Sequence, residues 1–142
     1  QPDFAFFGQK DAQQVALVKQ MVSEQVTSGR RSPIELVVGP TIRNDSGLAL
    51  SSRNKFLTEQ DLPAALSLSK ALFAGSKGST REEVLSLARA EISPEAKLEY
   101  LELVDADSFE PTEPGLSKAV LIVAAKVGEV RLIDNVYIDR KS

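Results

Sequence analysis

Two short stretches of this chain carry side chains suited to holding phosphate, a ribose and a small polar acid. The first is Phe6-Phe7-Gly8-Gln9-Lys10-Asp11-Ala12-Gln13-Gln14, and the second is Gly47-Leu48-Ala49-Leu50-Ser51-Ser52-Arg53-Asn54. In the first, Gly8 lets a ligand approach the backbone because it has no Cβ. Lys10 offers a point charge to phosphate, Asp11 can accept from ribose hydroxyls, and Gln14, one helical turn later, can bond a small polar substrate. In the second, the hydroxyls of Ser51 and Ser52 and the guanidinium of Arg53 follow a glycine-containing loop. Hydroxyls and backbone N–H groups ring phosphate oxygens, and arginine binds them bidentately without losing its charge. Such a loop suits a departing pyrophosphate, where each donor aimed at developing charge is worth about 2.7–4 kcal/mol of barrier. It is not a P-loop, because the spaced glycines and the Gly-Lys-Ser/Thr of that motif are absent. On spacing alone both stretches have a plainer use. Gly8 to Asp11 reads as a turn followed by a helix cap with Lys10 in solvent, and Ser51 to Arg53 as a polar linker.

Both stretches fall where a strand gives way to a loop or helix. Phe4 to Phe7 is an apolar run ended by Gly8, as expected of a buried parallel strand. Asp11 is placed to cap a helix whose Val15, Val18, Met21, Val22 and Val26 recur at spacings of three and four and make one apolar face. Thr27-Ser28-Gly29 ends it. Ile34 to Val38 is a second strand, closed by Gly39-Pro40, so the first third of the chain reads as a βαβ unit with parallel strands. That junction is where open α/β sheets bind ligands, at the carboxyl ends of their strands.

Beyond it the pattern changes. Asn44-Asp45-Ser46-Gly47 is turn chemistry. Thr58 with Asp61 forms a capping box ahead of a helix carrying Leu62, Ala65, Leu66, Ser69, Leu72 and Phe73, and Thr80 with Glu83 repeats the device before Val84, Leu85, Leu87 and Ala88. Leu98 to Val104 is a strand with one wetter face. Ala119 to Val127 and Val130 to Ile138 flank Gly128-Glu129, a two-residue hairpin signal. The acidic run Glu99, Glu102, Asp105 and Asp107 reads as a solvated strand face rather than a metal site.

The 142 residues suffice for one domain, or a small domain and part of another. No apolar run approaches the ~20 residues of a membrane span, and a net charge of −3 argues against nucleic acid as the main partner. Without a cysteine or a histidine, thiol catalysis and thiolate metal sites are excluded, and any metal sits on oxygen, which favours Mg²⁺ over zinc. Gln1 is not an initiator methionine and a core strand follows at once, so residues upstream of Gln1 are expected.

Together these residues resemble the pantothenate synthetase (pantoate–β-alanine ligase) family. Its Phe-Gly-Glu-Lys-Asp-x-x-Gln motif is matched by Phe7 to Gln14, with Gln9 in place of the usual Glu and Ala12 where Tyr is frequent. Its Asp-Gly-Leu-Ala-Met-Ser-Ser-Arg-Asn motif is matched by Ser46 to Asn54, with Leu50 for Met. The stretches Tyr100 to Val104 and Arg131 to Asn135 are also similar. The resemblance implies an α/β fold: the C-terminal part of a Rossmann-like nucleotidyltransferase domain over residues 1–55, then a small α+β lid domain with an antiparallel sheet over 56–142. It implies an ATP-dependent condensation of pantoate and β-alanine through a pantoyl adenylate. Lys10, Ser51, Ser52 and Arg53 would hold the phosphates, Gly8 and Asp11 the ribose, Ile42 the adenine through its backbone, and Gln14 the pantoate. Mg²⁺ would ride on the phosphates with no protein ligand. The family's His-x-Gly-His motif, which serves the phosphates, is absent from these residues, so the chain reads as a C-terminal portion, inactive alone, of a cytoplasmic and typically homodimeric parent. A non-catalytic nucleotide-binding module that kept the ligase loops, or an adenylate-forming ligase for another small acid, would carry the same residues.

Overall fold

A computed structural model of the chain describes residues 4–8, 11–29, 35–39, 41–116 and 118–139. Strand β1 (Phe4–Gly8) is followed by helix α1 (Ala12–Thr27) and strand β2 (Glu35–Gly39). The two strands pair in parallel, from Phe4 opposite Glu35 to Gly8 opposite Gly39, so their carboxyl ends lie side by side. A loop and a 3-10 turn at Ser52–Phe56 lead to helices α2 (Leu62–Gly75) and α3 (Arg81–Glu91). Strands β3 (Lys97–Asp105), β4 (Ala119–Val127) and β5 (Val130–Ile138) then form an antiparallel sheet in that order. The hairpin between β4 and β5 turns at Gly128-Glu129 as the sequence predicts, with Val127 opposite Val130.

The period of two along a strand gives this sheet two different faces. On one, Leu101, Leu103, Leu121, Val123 and Val127 pack with Leu68, Leu72, Val84 and Ala88 of α2 and α3 to make the main core. Each leucine or valine among them contributes about 1.5–3 kcal/mol when fully buried. On the other face Val104 and Val120 meet Ala12 of α1, with Ile122 and Tyr137 against them. The sheet thus brings the first turn of α1 to the side opposite the main core.

Gly78 allows α2 and α3 to join closely. A Cβ there would lie 2.5 Å from the backbone nitrogen of Val84. The Thr80 hydroxyl accepts from the Glu83 N–H at 3.1 Å and starts α3, but the Glu83 carboxylate reaches one residue further back, to the Ser79 N–H at 2.6 Å. At α2 the expected box is only half made. The Asp61 carboxylate accepts from the Thr58 N–H at 2.9 Å, Asp61 itself takes the capping position, and the helix starts after it.

Two predicted helix faces are corrected in part. Helix α2 buries Ala64, Ala65, Leu68, Ala71 and Leu72, whereas Leu62 and Phe73 are exposed. It is enclosed on two sides, by α3 and by β4 with β5, so the buried arc is wider than a single stripe and centred elsewhere. Helix α1 keeps most of its predicted face, with Val15 buried and Val18, Val22 and Val26 half-buried, but Met21 is 58% exposed, and among the described residues full burial is confined to Ala12, Val15 and Ala16 in its N-terminal turns. Asp11 stands at the N-cap of α1, but its side chain makes no capping bond and is left exposed.

The acidic run is solvated, as the sequence predicts. Glu99 and Glu102 are exposed and pair with Arg131 and Arg81, and Asp105 closes its own turn by accepting from the Asp107 and Ser108 N–H groups. Among the described residues no helix is long and apolar enough to cross a membrane.

Candidate active site

The first turn of α1, the loop before the 3-10 turn, and the face of β5 away from the main core enclose a cleft. It consists of two adjoining cavities of about 190 and 320 Å³ that share Asp11, Arg131 and Ile133. Gln14, Tyr100 and Asn135 extend the walls of the smaller, and Ser51 and Arg53 those of the larger. Alternation along β5 explains why Arg131, Ile133 and Asn135 share one wall while Val130, Leu132 and Ile138 enter the core.

The serine loop is held by bonds the sequence supplies locally. The Asn44 carboxamide oxygen accepts from the Ser46 and Leu48 N–H groups at 3.1 and 3.0 Å, and Gly47 takes a φ of 96° that side chains disfavour. The Leu50 N–H bonds the Ile42 carbonyl at 2.9 Å, so Arg43 and Ala49 face each other in an antiparallel bridge. The Ser51 hydroxyl oxygen accepts from the Arg53 N–H at 3.2 Å, which leaves its proton to donate to a ligand. The Asn54 amide donates to the Ala49 carbonyl at 3.0 Å and draws the loop's two ends together.

Arg43 anchors this loop to β5. Its two Nη groups meet the Asp134 carboxylate at 2.5 and 2.9 Å, Nη1 also donates to the Gly47 carbonyl at 3.1 Å, and the guanidinium lies 5.6 Å from the centre of the Phe73 ring. Asp134 is buried, and a buried carboxylate needs such a partner.

The structure brings together Asp11, Gln14, Ser51 and Arg53 of the residues the sequence singles out. Gly8 ends β1 beside Gly39. Ile42 is exposed, with its carbonyl given to Leu50, so its N–H and a second carbonyl lone pair are what it can offer. Ser52 is exposed and lines neither cavity. Lys10 lies outside the described residues. Among those described, no carboxylate pairs with Arg53.

Sequence reasoning assigned no task to Arg43, Tyr100, Arg131 or Asp134. A signal for Arg131 and Asp134 existed, since both lie in a stretch that resembles the ligase family. The Glu99 carboxylate accepts from Arg131 Nε at 2.8 Å, and this bond holds the guanidinium pKa above its ordinary value, with Tyr100 adding to the effect and desolvation opposing it. Burial, with the charge of Asp107 adding to it, pushes the Tyr137 phenol above its ordinary value.

The chain is similar to known proteins of one family. A family model described as pantoate-beta-alanine ligase matches residues 1–137. A pantothenate synthetase of Thermobifida fusca is 47% identical over 95% of this chain and 47% of its own length. The crystal structure of the Thermus thermophilus pantothenate synthetase superimposes with a TM-score of 0.86 at 36% identity, covering 96% of this chain and 50% of that one. A pantoate-beta-alanine ligase of Francisella tularensis, solved in complex with "Beta-gamma ATP" and beta-alanine, gives a TM-score of 0.64 at 31% identity over 99% of this chain and 45% of its own. The chain therefore spans about half the length of the curated relatives it matches. It belongs to the pantoate-beta-alanine ligase family, the family of the pantothenate synthetases.

Proposed function

We propose that these residues form the phosphate-holding part of a site that condenses pantoate with β-alanine at the expense of ATP. The observation that carries this reading is the convergence of Asp11, Gln14, Ser51 and Arg53 on one cleft in a chain of this family. Residues 1–55 are the last βαβ part of a Rossmann-like domain, and 56–142 are a lid domain that closes over it. The adjacent carboxyl ends of β1 and β2 support this division, as that is where open parallel sheets take nucleotides.

In the first step a pantoate carboxylate oxygen attacks the α-phosphorus of ATP. The bond from that phosphorus to the bridging oxygen breaks, and pyrophosphate leaves from a pantoyl adenylate. Arg53, Lys10 and the Ser51 hydroxyl meet the charge that develops on the departing group, with Ser52 beside them. Gln14 orients pantoate, Asp11 and the bare backbone of Gly8 receive the ribose, and Ile42 offers its backbone to adenine. In the second step the β-alanine amine attacks the acyl carbon, AMP departs, and the amine loses a proton. Among the described residues no three His, Cys, Asp or Glu side chains are grouped to hold a metal. Mg²⁺ would be carried by nucleotide phosphates and water, where it would neutralise phosphate charge.

The 142 residues contain no histidine. By themselves they bind the nucleotide and do not turn it over, which is the behaviour of the alternative reading, a nucleotide-binding module. Pantoate-dependent exchange of labelled pyrophosphate into ATP, measured without β-alanine on the whole gene product and on these residues alone, separates the two. Exchange in the whole product alone supports the ligase. Exchange in neither favours the module, and exchange driven by another small acid in place of pantoate identifies a different ligase.

A further inference from the structure

The proposed mechanism leaves one cleft cation without a task. Arg131 lines both cavities, and it projects from β5 on the wall facing the loop that carries Ser51 and Arg53. Its setting is specific. The pairing of β3 with β4 slips between Leu98 and Tyr100, which makes Glu99 the extra residue of a bulge. In a regular strand Glu99 and Tyr100 would point to opposite faces. A bulge re-aims a side chain, and here both neighbours serve Arg131. Glu99 bonds its Nε at 2.8 Å, and Tyr100 lines the cleft beside it.

Stability does not require this arrangement. Arg131 and Glu99 are both partly in solvent, with side chains 46% and 41% exposed. Pairs of that kind contribute about 0–1 kcal/mol. With Nε held by Glu99 and Tyr100 bonding the same guanidinium, the remaining Nη hydrogens are left for a ligand, and a guanidinium held from behind is preorganised to take two phosphate oxygens. Two arginines on facing walls suit a ligand of several negative charges, and Asp11, common to both cavities, is left for the ribose hydroxyls.

We propose that Arg131 is a second phosphate-gripping arginine, which takes the β- and γ-phosphates of the nucleotide from the antiparallel sheet while Ser51 and Arg53 hold them from the loop. This rests on the nucleotide reading given above. Glu99 and Tyr100 are then positioning residues that fix the guanidinium, and the triphosphate becomes the link between the sheet and the loop.

Calorimetric titration of the full chain with ATP, AMP and inorganic pyrophosphate, each with Mg²⁺, tests this. Arg131→Gln is expected to weaken ATP and pyrophosphate by about tenfold to a hundredfold, the range for losing a charged hydrogen-bonding partner. AMP, which lacks the β- and γ-phosphates, is expected to keep its affinity. Arg131→Lys should recover part of the loss. Glu99→Gln should weaken ATP less than Arg131→Gln does, and the surface change Lys77→Gln should leave it unchanged. Thermal melting establishes that each variant is folded, and Arg131→Lys with Glu99→Gln carries the test if Arg131→Gln is not.

Unchanged ATP affinity in Arg131→Gln, together with a loss in Arg53→Gln, would overturn the role of Arg131 and leave the nucleotide reading standing. Equal weakening of ATP and AMP would also overturn it, since the effect would not be on the outer phosphates. A wild-type chain that binds neither ATP nor pyrophosphate would overturn both.

Discussion

Arg43 and Asp134 are separated by 91 positions in the chain and meet in a two-pronged ion pair, at 2.5 and 2.9 Å. The pair joins the loop that presents Ser51 and Arg53 to the strand that presents Arg131, so the two walls of the cleft are fixed to each other. Separating them would leave a buried carboxylate unpaired.

Removing one partner of this pair should therefore be costly. Asp134→Ala is expected to lower unfolding free energy by about 3–5 kcal/mol, the usual result of leaving a buried charge unpaired. Replacing both residues by apolar ones, Arg43→Met with Asp134→Leu, should lose less than the single change, because no charge is stranded. Urea unfolding of the three proteins measures both effects. A double variant no better than Asp134→Ala would show that the pair holds the loop by something other than charge.

The core offers a check on the packing. Leu121 is fully buried between the sheet and the helices, and its Cδ2 would lie 2.7 Å from a Cβ placed on Gly75. Leu121→Ala should cost about 2–5 kcal/mol through lost contact and a residual cavity. Gly75→Ala should cost about 1–3 kcal/mol by overpacking. Combined with Leu121→Ala, the same change should lose part of its cost, because the Leu121 contact is gone while the Val84 carbonyl, at 2.9 Å, and the Ala88 Cβ, at 3.0 Å, remain. Additive losses in thermal melts would contradict this account.

Tyr137 predicts an alkaline limit. Its phenol is raised above its ordinary value by burial and by Asp107, so the unfolded chain ionises first as pH climbs past about 10. The associated stability is fully present below that pH and is lost as pH rises through the folded-state pKa. Absorbance titration near 295 nm should show Tyr137 ionising later than a free phenol, and Asp107→Asn should bring it earlier. Tyr137→Phe should flatten the fall in stability above pH ~10.

Much of this architecture is legible in the sequence, because its signals are local. Gly128-Glu129 between two β-branched runs sets the hairpin to the residue, and Thr80 with Glu83 marks the start of α3. Errors arise where a distant element decides. The period of α2 cannot show that two elements enclose it, nor that Phe73 stays at the rim beneath Arg43. Asp11 has the right type for a helix cap, yet its side chain makes no capping bond and it lines both cavities.

At the site, Ser51, Arg53, Asp11 and Gln14 could be singled out because their chemistry is compressed into two short motifs. Arg131 is brought to them by a strand 78 positions beyond Arg53 (131 − 53) and aimed by a bulge, which no spacing rule foretells. The same holds for Arg43 and Asp134, whose meaning lies only in their meeting.

On the function proposed above, this cleft serves the ATP-driven joining of pantoate to β-alanine. The most direct measurement is AMP release by the whole gene product, with each of the two substrates omitted in turn and Arg53→Gln run in parallel. Sustained release is expected only when both are present, with a loss of about a hundredfold or more in the variant, as for removal of one donor to developing charge. Equal release without pantoate, or full activity in Arg53→Gln, would contradict it.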